Sequence, residues 1–194
     1  SFAGKKGNSR LTAPILMDSA EAEVIRALRR QGHISRTEIS NITGWSKAKA
    51  SQEIRSMVDK GYLIEVGEGV SQGGRKPGLL KINNQLGYVV GIDIGATSLE
   101  LALADVTGKI LQRVSDTADV RTKPDVLLSR CVELTMEMTR AQGGSPDQIL
   151  GIGVGVPGPV DFSRGALVAP PLMPDWENFL IRDFFKTTFT SAFA

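Results

Sequence analysis

Apolar residues recur at helical spacing in the front of the chain and in strand-like runs behind it. Ala22, Val24, Ile25 and Leu28 share one face of a helix that Asp18 or Ser19 caps and Gly32 ends. A second, short helix opens at Ser35, which forms the S-x-x-E pair of a capping box with Glu38, and runs to about Thr43. Gly44 supplies a sharp turn, Ser46 caps a third helix that ends near Lys60, and Gly61 stops it. On that helix Ala50, Ile54, Met57 and Val58 make an inward stripe, while Lys47, Ser51 and Arg55 lie beside Ala48 and Gln52 on the far side. Tyr62 to Val66 and Leu79 to Ile82 read as short strands, joined by a loop carrying Gly73-Gly74-Arg75-Lys76-Pro77. The pattern predicts a winged helix-turn-helix over residues 18–83.

A polar connector at 84–87 marks a change of pattern. Tyr88 to Asp93 (YVVGID) is a continuous apolar run of the kind buried on both faces of a sheet. Leu99 to Val106 and Ile110 to Val114 follow as strands around a Thr107-Gly108 turn. Pro124, at a first-turn position, opens a helix to about Ala141, with Val126, Leu127, Cys131, Leu134 and Met138 on one face. Gly143-Gly144-Ser145-Pro146 breaks it, and Ile149 to Val156 reads as another buried strand. Strand, helix and strand make a crossover unit, so an α/β domain starts at Tyr88. Beyond Pro157-Gly158-Pro159 the pattern gives a hairpin around Ser163-Arg164-Gly165 and a helix from about Ile181 to Phe189. Thr190 to Ala194 looks like the opening of a strand, which points to a fragment of a longer protein.

Charge sharpens the division. From Ser1 to Gln85 there are 14 Lys+Arg against 8 Asp+Glu, and from Leu86 to Ala194 there are 9 against 13. A basic front and an acidic rear fit a nucleic-acid reader joined to something that is not one. A helix pair alone occurs in many all-α proteins that never touch DNA. The wing adds a specific chemistry, because adjacent cations on a Gly-rich tip suit the negative potential of a minor groove. Lys47, Lys49, Ser51, Gln52 and Arg55 are placed to reach the major groove, with Arg36 and Ser46 at the helix starts beside them. The basic stretch 1–17 is expected to be flexible, and could add phosphate contacts.

Other chemistry is sparse. Cys131 is the only cysteine, so no disulfide within the chain and no cysteine metal cluster can form, and its helical setting makes it a small buried apolar residue. His33, also alone, reads as a linker residue. No secretory segment or membrane-length apolar run is present, which leaves a cytoplasmic location as the expectation. The loop Asp93-Ile94-Gly95-Ala96-Thr97 has small residues that let backbone N–H groups approach a phosphate, with Thr97 as a hydroxyl donor and Asp93 able to hold a metal through water. A tight hairpin needing glycine explains the same loop equally well.

GIDIGATSLELALADVTGKIL, followed by GIGVGVPGPVD and then PPLMPDW, resembles the ROK family of repressors, open reading frames and sugar kinases. SRTEISNITGWSKAKAS and SQGGRKPGLLKIN resemble the winged-helix module of its repressor branch. The resemblance runs from about Ile25 onward. It implies that residues 88–194 are the first part of an actin-like, ribonuclease H-like ATPase fold. In the family's kinases the loop matching Asp93, Gly95 and Thr97 handles ATP phosphates, and the loop at Gly155 to Asp161, with Pro157 and Gly158, lies near the sugar cleft. Two departures stand out. Ala96 replaces a second glycine and Ser98 replaces a frequent lysine, which leans toward a retired nucleotide site. The family's catalytic aspartate and its structural zinc ligands would fall after Ala194, so no catalytic residue, metal ligand or cofactor is assigned here.

The resemblance implies a sugar-responsive transcriptional repressor, a homodimer or homotetramer that binds a double-stranded DNA operator and is released by a small sugar effector. An ATP-dependent sugar kinase carrying a DNA-binding module is the alternative, and an activator of the same architecture remains open.

Overall fold

The computed structural model describes residues 19–68 and 78–192. The N-terminal stretch 1–17, Asp18, the wing tip with Arg75 and Lys76, and Phe193 and Ala194 lie outside the described residues. The chain divides into two compact units between Leu86 and Gly87.

The first unit runs α1 (Ser19–Gln31), β1 (Ile34–Ser35), α2 (Arg36–Thr43), α3 (Lys47–Asp59), β2 (Leu63–Glu68) and β3 (Gly78–Ile82). Its sheet has the order β1-β3-β2, antiparallel throughout. The capping box at Ser35 is complete: Ser35 Oγ accepts from the Glu38 N–H at 3.3 Å, and the Ser35 N–H donates to Glu38 Oε2 at 2.6 Å. Gly44 follows in the left-handed region, and Ser46 Oγ accepts from the Lys49 N–H at 3.3 Å to start α3. At the other end of α3 the Gly61 N–H donates to the Val58 carbonyl and the Tyr62 N–H to the Met57 carbonyl. With Gly61 at φ 77°, this is a Schellman stop. Tyr62 is spent on that cap, so β2 begins one residue later than the pattern suggests.

The core of this unit gathers Val24, Leu28, Ile34, Ile39, Ile54, Met57, Leu63 and Leu80. Three expectations change. In α1 Glu21 and Ala27 are buried, whereas Ala22 and Ile25 are half-buried; Lys60 supplies a partner that lets the Glu21 carboxylate go inside. Val58 is half-buried. Ile34 and the cap residue Ser35 form a two-residue strand that the pattern did not predict, paired with Leu80 and Leu79.

The second unit starts with an antiparallel meander, β4 (Tyr88–Ile94), β5 (Ser98–Asp105) and β6 (Ile110–Thr117). Helix α4 (Pro124–Ala141) then crosses to β7 (Ile149–Gly155), which pairs parallel with β4, giving the order β6-β5-β4-β7. Leu127, Leu128, Cys131, Leu134 and Met138 of α4 cover one sheet face, packing on Val90, Ile92, Ile94, Leu99, Leu101 and Leu103. Val126, expected in that stripe, is 57% exposed, because a helix turns about 100° per residue and Leu128 takes the inward arc.

β4 and β7 are not buried on both faces. Gly91 and Asp93 alternate with buried Val90, Ile92 and Ile94, and Gly153 and Gly155 are exposed likewise. The run looks continuous in sequence because a lone glycine carries no polar side chain to mark an open face. Beyond β7, β8 (Val160–Asp161) and β9 (Ala166–Leu167) form the expected hairpin, with Gly165 at φ 66°. Helix α5 (Ile181–Lys186) stops three residues before buried Phe189. Thr190–Ala192 is a 3-10 turn, not the opening of a strand, since bonds back to Phe185 and Phe189 keep the chain coiled.

Candidate nucleic-acid interface and strand-end loops

In the first unit Ser46 is the N-cap of α3, and Lys47, Ala48, Lys49, Ser51, Gln52 and Arg55 are all exposed along it. The fold thus brings together the α3 residues singled out from sequence. Lys49 Nζ stands 5.5 Å from the centroid of the Trp45 ring, within cation–π range. The backbone N–H of Trp45 donates to Thr43 Oγ1 at 3.3 Å, which fixes the main chain just before the α3 cap. Where α2 meets the start of α3, a cleft of about 160 Å³ is lined by Arg36, Thr37, Ser40, Lys47, Ala50 and Ser51. Thr37, Ser40 and Trp45 were missed by sequence reasoning. Spacing along α2 and the aromatic just before the α3 cap were the available signals. Arg36 is held in an ion pair with Glu65 of β2.

In the second unit the loop from Asp93 to Thr97 is a hairpin turn. The Gly95 N–H donates to the Ser98 carbonyl at 2.8 Å, and the Ala96 and Thr97 carbonyls accept from Val120 and Ala118. Asp93, next to last in β4, lies directly opposite Glu100 of β5 and beside Gly155 of β7. A Cβ on Gly155 would stand 2.9 Å from Asp93 Oδ1, so glycine there lets the carboxylate lie across the strand end. Asp93, Glu100 and Arg113 line an open depression of about 430 Å³ on the uncovered sheet face. Glu100 is further fixed by the Ser115 hydroxyl, which donates to its Oε2 at 2.6 Å.

Pro157 and Gly158 follow the carboxyl end of β7, half-buried, with the Gly158 N–H on the Val156 carbonyl. Gly158 packs against Leu167 and Pro170, where a Cβ would meet atoms at 3.1 and 3.3 Å. A nearby cavity of about 350 Å³ is walled by Val154, Val156, Phe162, Ile181, Arg182 and Phe185, and neither Pro157 nor Gly158 lines it. Asp161 is committed to the hairpin tip. Hydrogen bonds from the Ser163 hydroxyl and from the N–H groups of Arg164 and Ser163 hold its carboxyl below the ordinary range. The loops carrying Asp93 and Gly158 thus follow the carboxyl ends of adjacent parallel strands, the usual place for a ligand site in such sheets. Among the described residues no group of three His, Cys, Asp or Glu side chains could hold a metal ion, and no helix is long and apolar enough to cross a membrane.

Residues 89–193 match the model of the ROK family, and residues 17–70 match a domain of unknown function, DUF7343. The chain is 30% identical over 166 residues to the xylose repressor of Caldicellulosiruptor bescii, covering 86% of this chain and 41% of that protein. It therefore spans less than half the length of that relative. It is also 27% identical over 95 residues to the glucokinase of Thermotoga maritima, covering 49% of this chain and 28% of that protein. The fold is similar to the crystal structure of a ROK family transcriptional regulator described as a homolog of the E. coli MLC protein. The TM-score is 0.65 at 21% identity, over 88% of this chain and 43% of that one.

Proposed function

Because the chain belongs to the ROK family, we propose that it is a sugar-responsive transcriptional repressor that binds double-stranded DNA through α3. The observation that carries this reading is the exposed face of α3, where Lys47, Lys49 and Arg55 stand among the short donors Ser51 and Gln52 beside a three-stranded wing sheet. That face suits a major groove, with the first residues of the helix nearest the base edges. Arg75 and Lys76 would enter the adjacent minor groove. Two such units, in a homodimer or homotetramer acting in the cytoplasm, would read paired half-sites.

The sugar would bind near the strand-end loops of the second unit, around Pro157 and Gly158. It releases DNA only if it binds the two arrangements of the dimer with different affinity. The connector offers a short route. Asn83 is anchored in the first unit, its Nδ2 donating to the Gly61 carbonyl at 3.0 Å and its N–H to Tyr62 at 2.9 Å. Gly87 is packed in the second unit against Gln148 and Leu150. The four residue steps from Asn83 to Gly87 span at most about 14 Å when extended. The xylose repressor relative puts pentoses first among candidate effectors.

A sugar kinase is the second reading, favoured by the glucokinase match over 95 residues. Against it stand the Ala96 methyl at the phosphate approach and the Glu100 carboxylate facing Asp93. One experiment separates the two. Full-length protein is titrated onto DNA from its own upstream region, with a panel of pentoses, hexoses and amino sugars, each with and without ATP. Release by one sugar without ATP supports the repressor. Indifference to every sugar, with ATP consumed in the presence of one, would replace it with the kinase.

A further inference from the structure

Arg36 opens α2, and its guanidinium donates to Glu65 Oε1 on β2. The two side chains are 40% and 59% exposed. Exposed ion pairs add little to stability, and this one is not needed to join its elements. Ser35 of β1 is the N-cap of α2, β1 pairs with β3, and β3 pairs with β2. The position of the pair is more telling. Arg36 also lines the 160 Å³ cleft with Thr37, Ser40, Lys47 and Ser51. Two cations and three hydroxyls around a space of that size match a backbone phosphate, and charge-assisted bonds from Arg are among the strongest such contacts. Glu65 is the acid that competes for the same guanidinium.

We propose that Glu65 is an internal counter-ion for Arg36 that tempers the grip of the winged helix on the DNA backbone, a role that rests on the DNA-binding reading above. With the carboxylate beside it, Arg36 brings no net charge to the phosphates, so its approach displaces few condensed cations. Removing the carboxylate's charge adds one effective phosphate contact per winged helix, and each such contact steepens the salt dependence by about 0.9 in the log–log slope.

The test uses full-length protein and a 30-bp mixed-sequence duplex, with anisotropy titrations between 50 and 200 mM NaCl. The proteins are wild type, Glu65→Gln, Arg36→Ala and the double variant, with circular dichroism melts to confirm folding. For each winged helix engaged, Glu65→Gln is expected to bind about three- to tenfold more tightly at 50 mM, losing about threefold of that advantage by 200 mM. In the Arg36→Ala background the same change should have little effect. Binding by Glu65→Gln equal to or weaker than wild type would overturn the proposal. So would an equal gain in the Arg36→Ala background, which would make Glu65 a general repulsive charge. If the wild-type protein binds no duplex at all, the DNA-binding reading itself fails.

Discussion

Lys60, just past the last turn of α3, reaches back to Glu21 in the first turn of α1, with Nζ 2.7 Å from Oε1. The Glu21 side chain is 5% exposed and the Lys60 side chain 45%. The same ammonium lies 5.7 Å from the centroid of the Tyr62 ring. One cation thus pairs with an acid inside the three-helix core and ties the end of α3 to the start of α1.

Lys60→Met should therefore cost about 1–3 kcal/mol, the usual cost of leaving a buried polar group short of a partner. Glu21→Gln should cost less, because the amide oxygen still accepts from the ammonium and no buried charge remains. Hydrogen exchange of the α1 and α3 amides measures both. Equal protection loss in the two variants would show that the amide cannot stand in for the Glu21 carboxylate.

Glu38 gives the first unit an acid-side weakness. The Ser35 N–H donating to its carboxylate, with the Ser35 hydroxyl second, lowers its pKa from the ordinary 4.5. The sign follows from the folded value lying below the unfolded one. The stabilisation is fully present above about 4.5 and is lost as pH falls through the lower folded value. Glu38→Gln should keep the capping geometry, since Gln also serves in a capping box, while flattening the decline in α2 exchange protection between pH 5 and pH 3. Ser35→Ala should cost about 1 kcal/mol at neutral pH.

Local chemistry was readable from sequence, and long-range pairing was not. The Ser35–Glu38 box, the Ser46 cap, the Gly61 stop and the bounds of α4 depend on residues within one or two turns, so their identities suffice. β1 is two residues long and exists only because Leu79 and Leu80 arrive from far along the chain. The Arg36–Glu65 pair has the same origin. In the second unit the apolar run of β4 was visible, but its open face was not, because Gly91 says nothing about what covers it. The cation face of α3 was legible from helical spacing. The meeting of Asp93, Glu100 and Gly155 required the sheet register.

Two glycines in the second unit should respond in opposite ways to alanine. A Cβ on Gly87 would stand 2.5 Å from the Gln148 carbonyl oxygen and 2.6 Å from Leu150 Cδ1, and backbone cannot swing aside. Gly87→Ala should cost about 1–3 kcal/mol as an overpacked site. A Cβ on Gly153 meets nothing within 4 Å. Gly153→Ala should be neutral, or stabilise by about 0.4–1 kcal/mol through the unfolded chain. Thermal melts of the two variants decide it, and a destabilised Gly153→Ala would mean that this sheet face is covered in solution.

Burial pushes the Cys131 thiol up to about 12, so the thiolate is scarce at neutral pH. A disulfide reagent at pH 8 should leave Cys131 unlabelled in the folded protein and label it in denaturant. Rapid labelling of the folded protein would mean that α4 opens far more readily than its packing on Leu101 and Leu103 implies.

Trp45 should matter to DNA binding without touching a base. Its ring sits 5.5 Å from Lys49 Nζ, so it limits where that ammonium can go. An exposed cation–π contact contributes about 0.5–1 kcal/mol, which corresponds to a two- to fivefold change in affinity. Trp45→Ala should weaken binding to the 30-bp duplex by that factor, with the salt slope nearly intact because the charge remains. Trp45→Phe should recover most of the loss. Lys49→Ala should instead flatten the slope by about one unit, as loss of a phosphate contact does. If Trp45→Ala flattened the slope as much as Lys49→Ala does, the ring would be essential to the contact itself and not a guide for it.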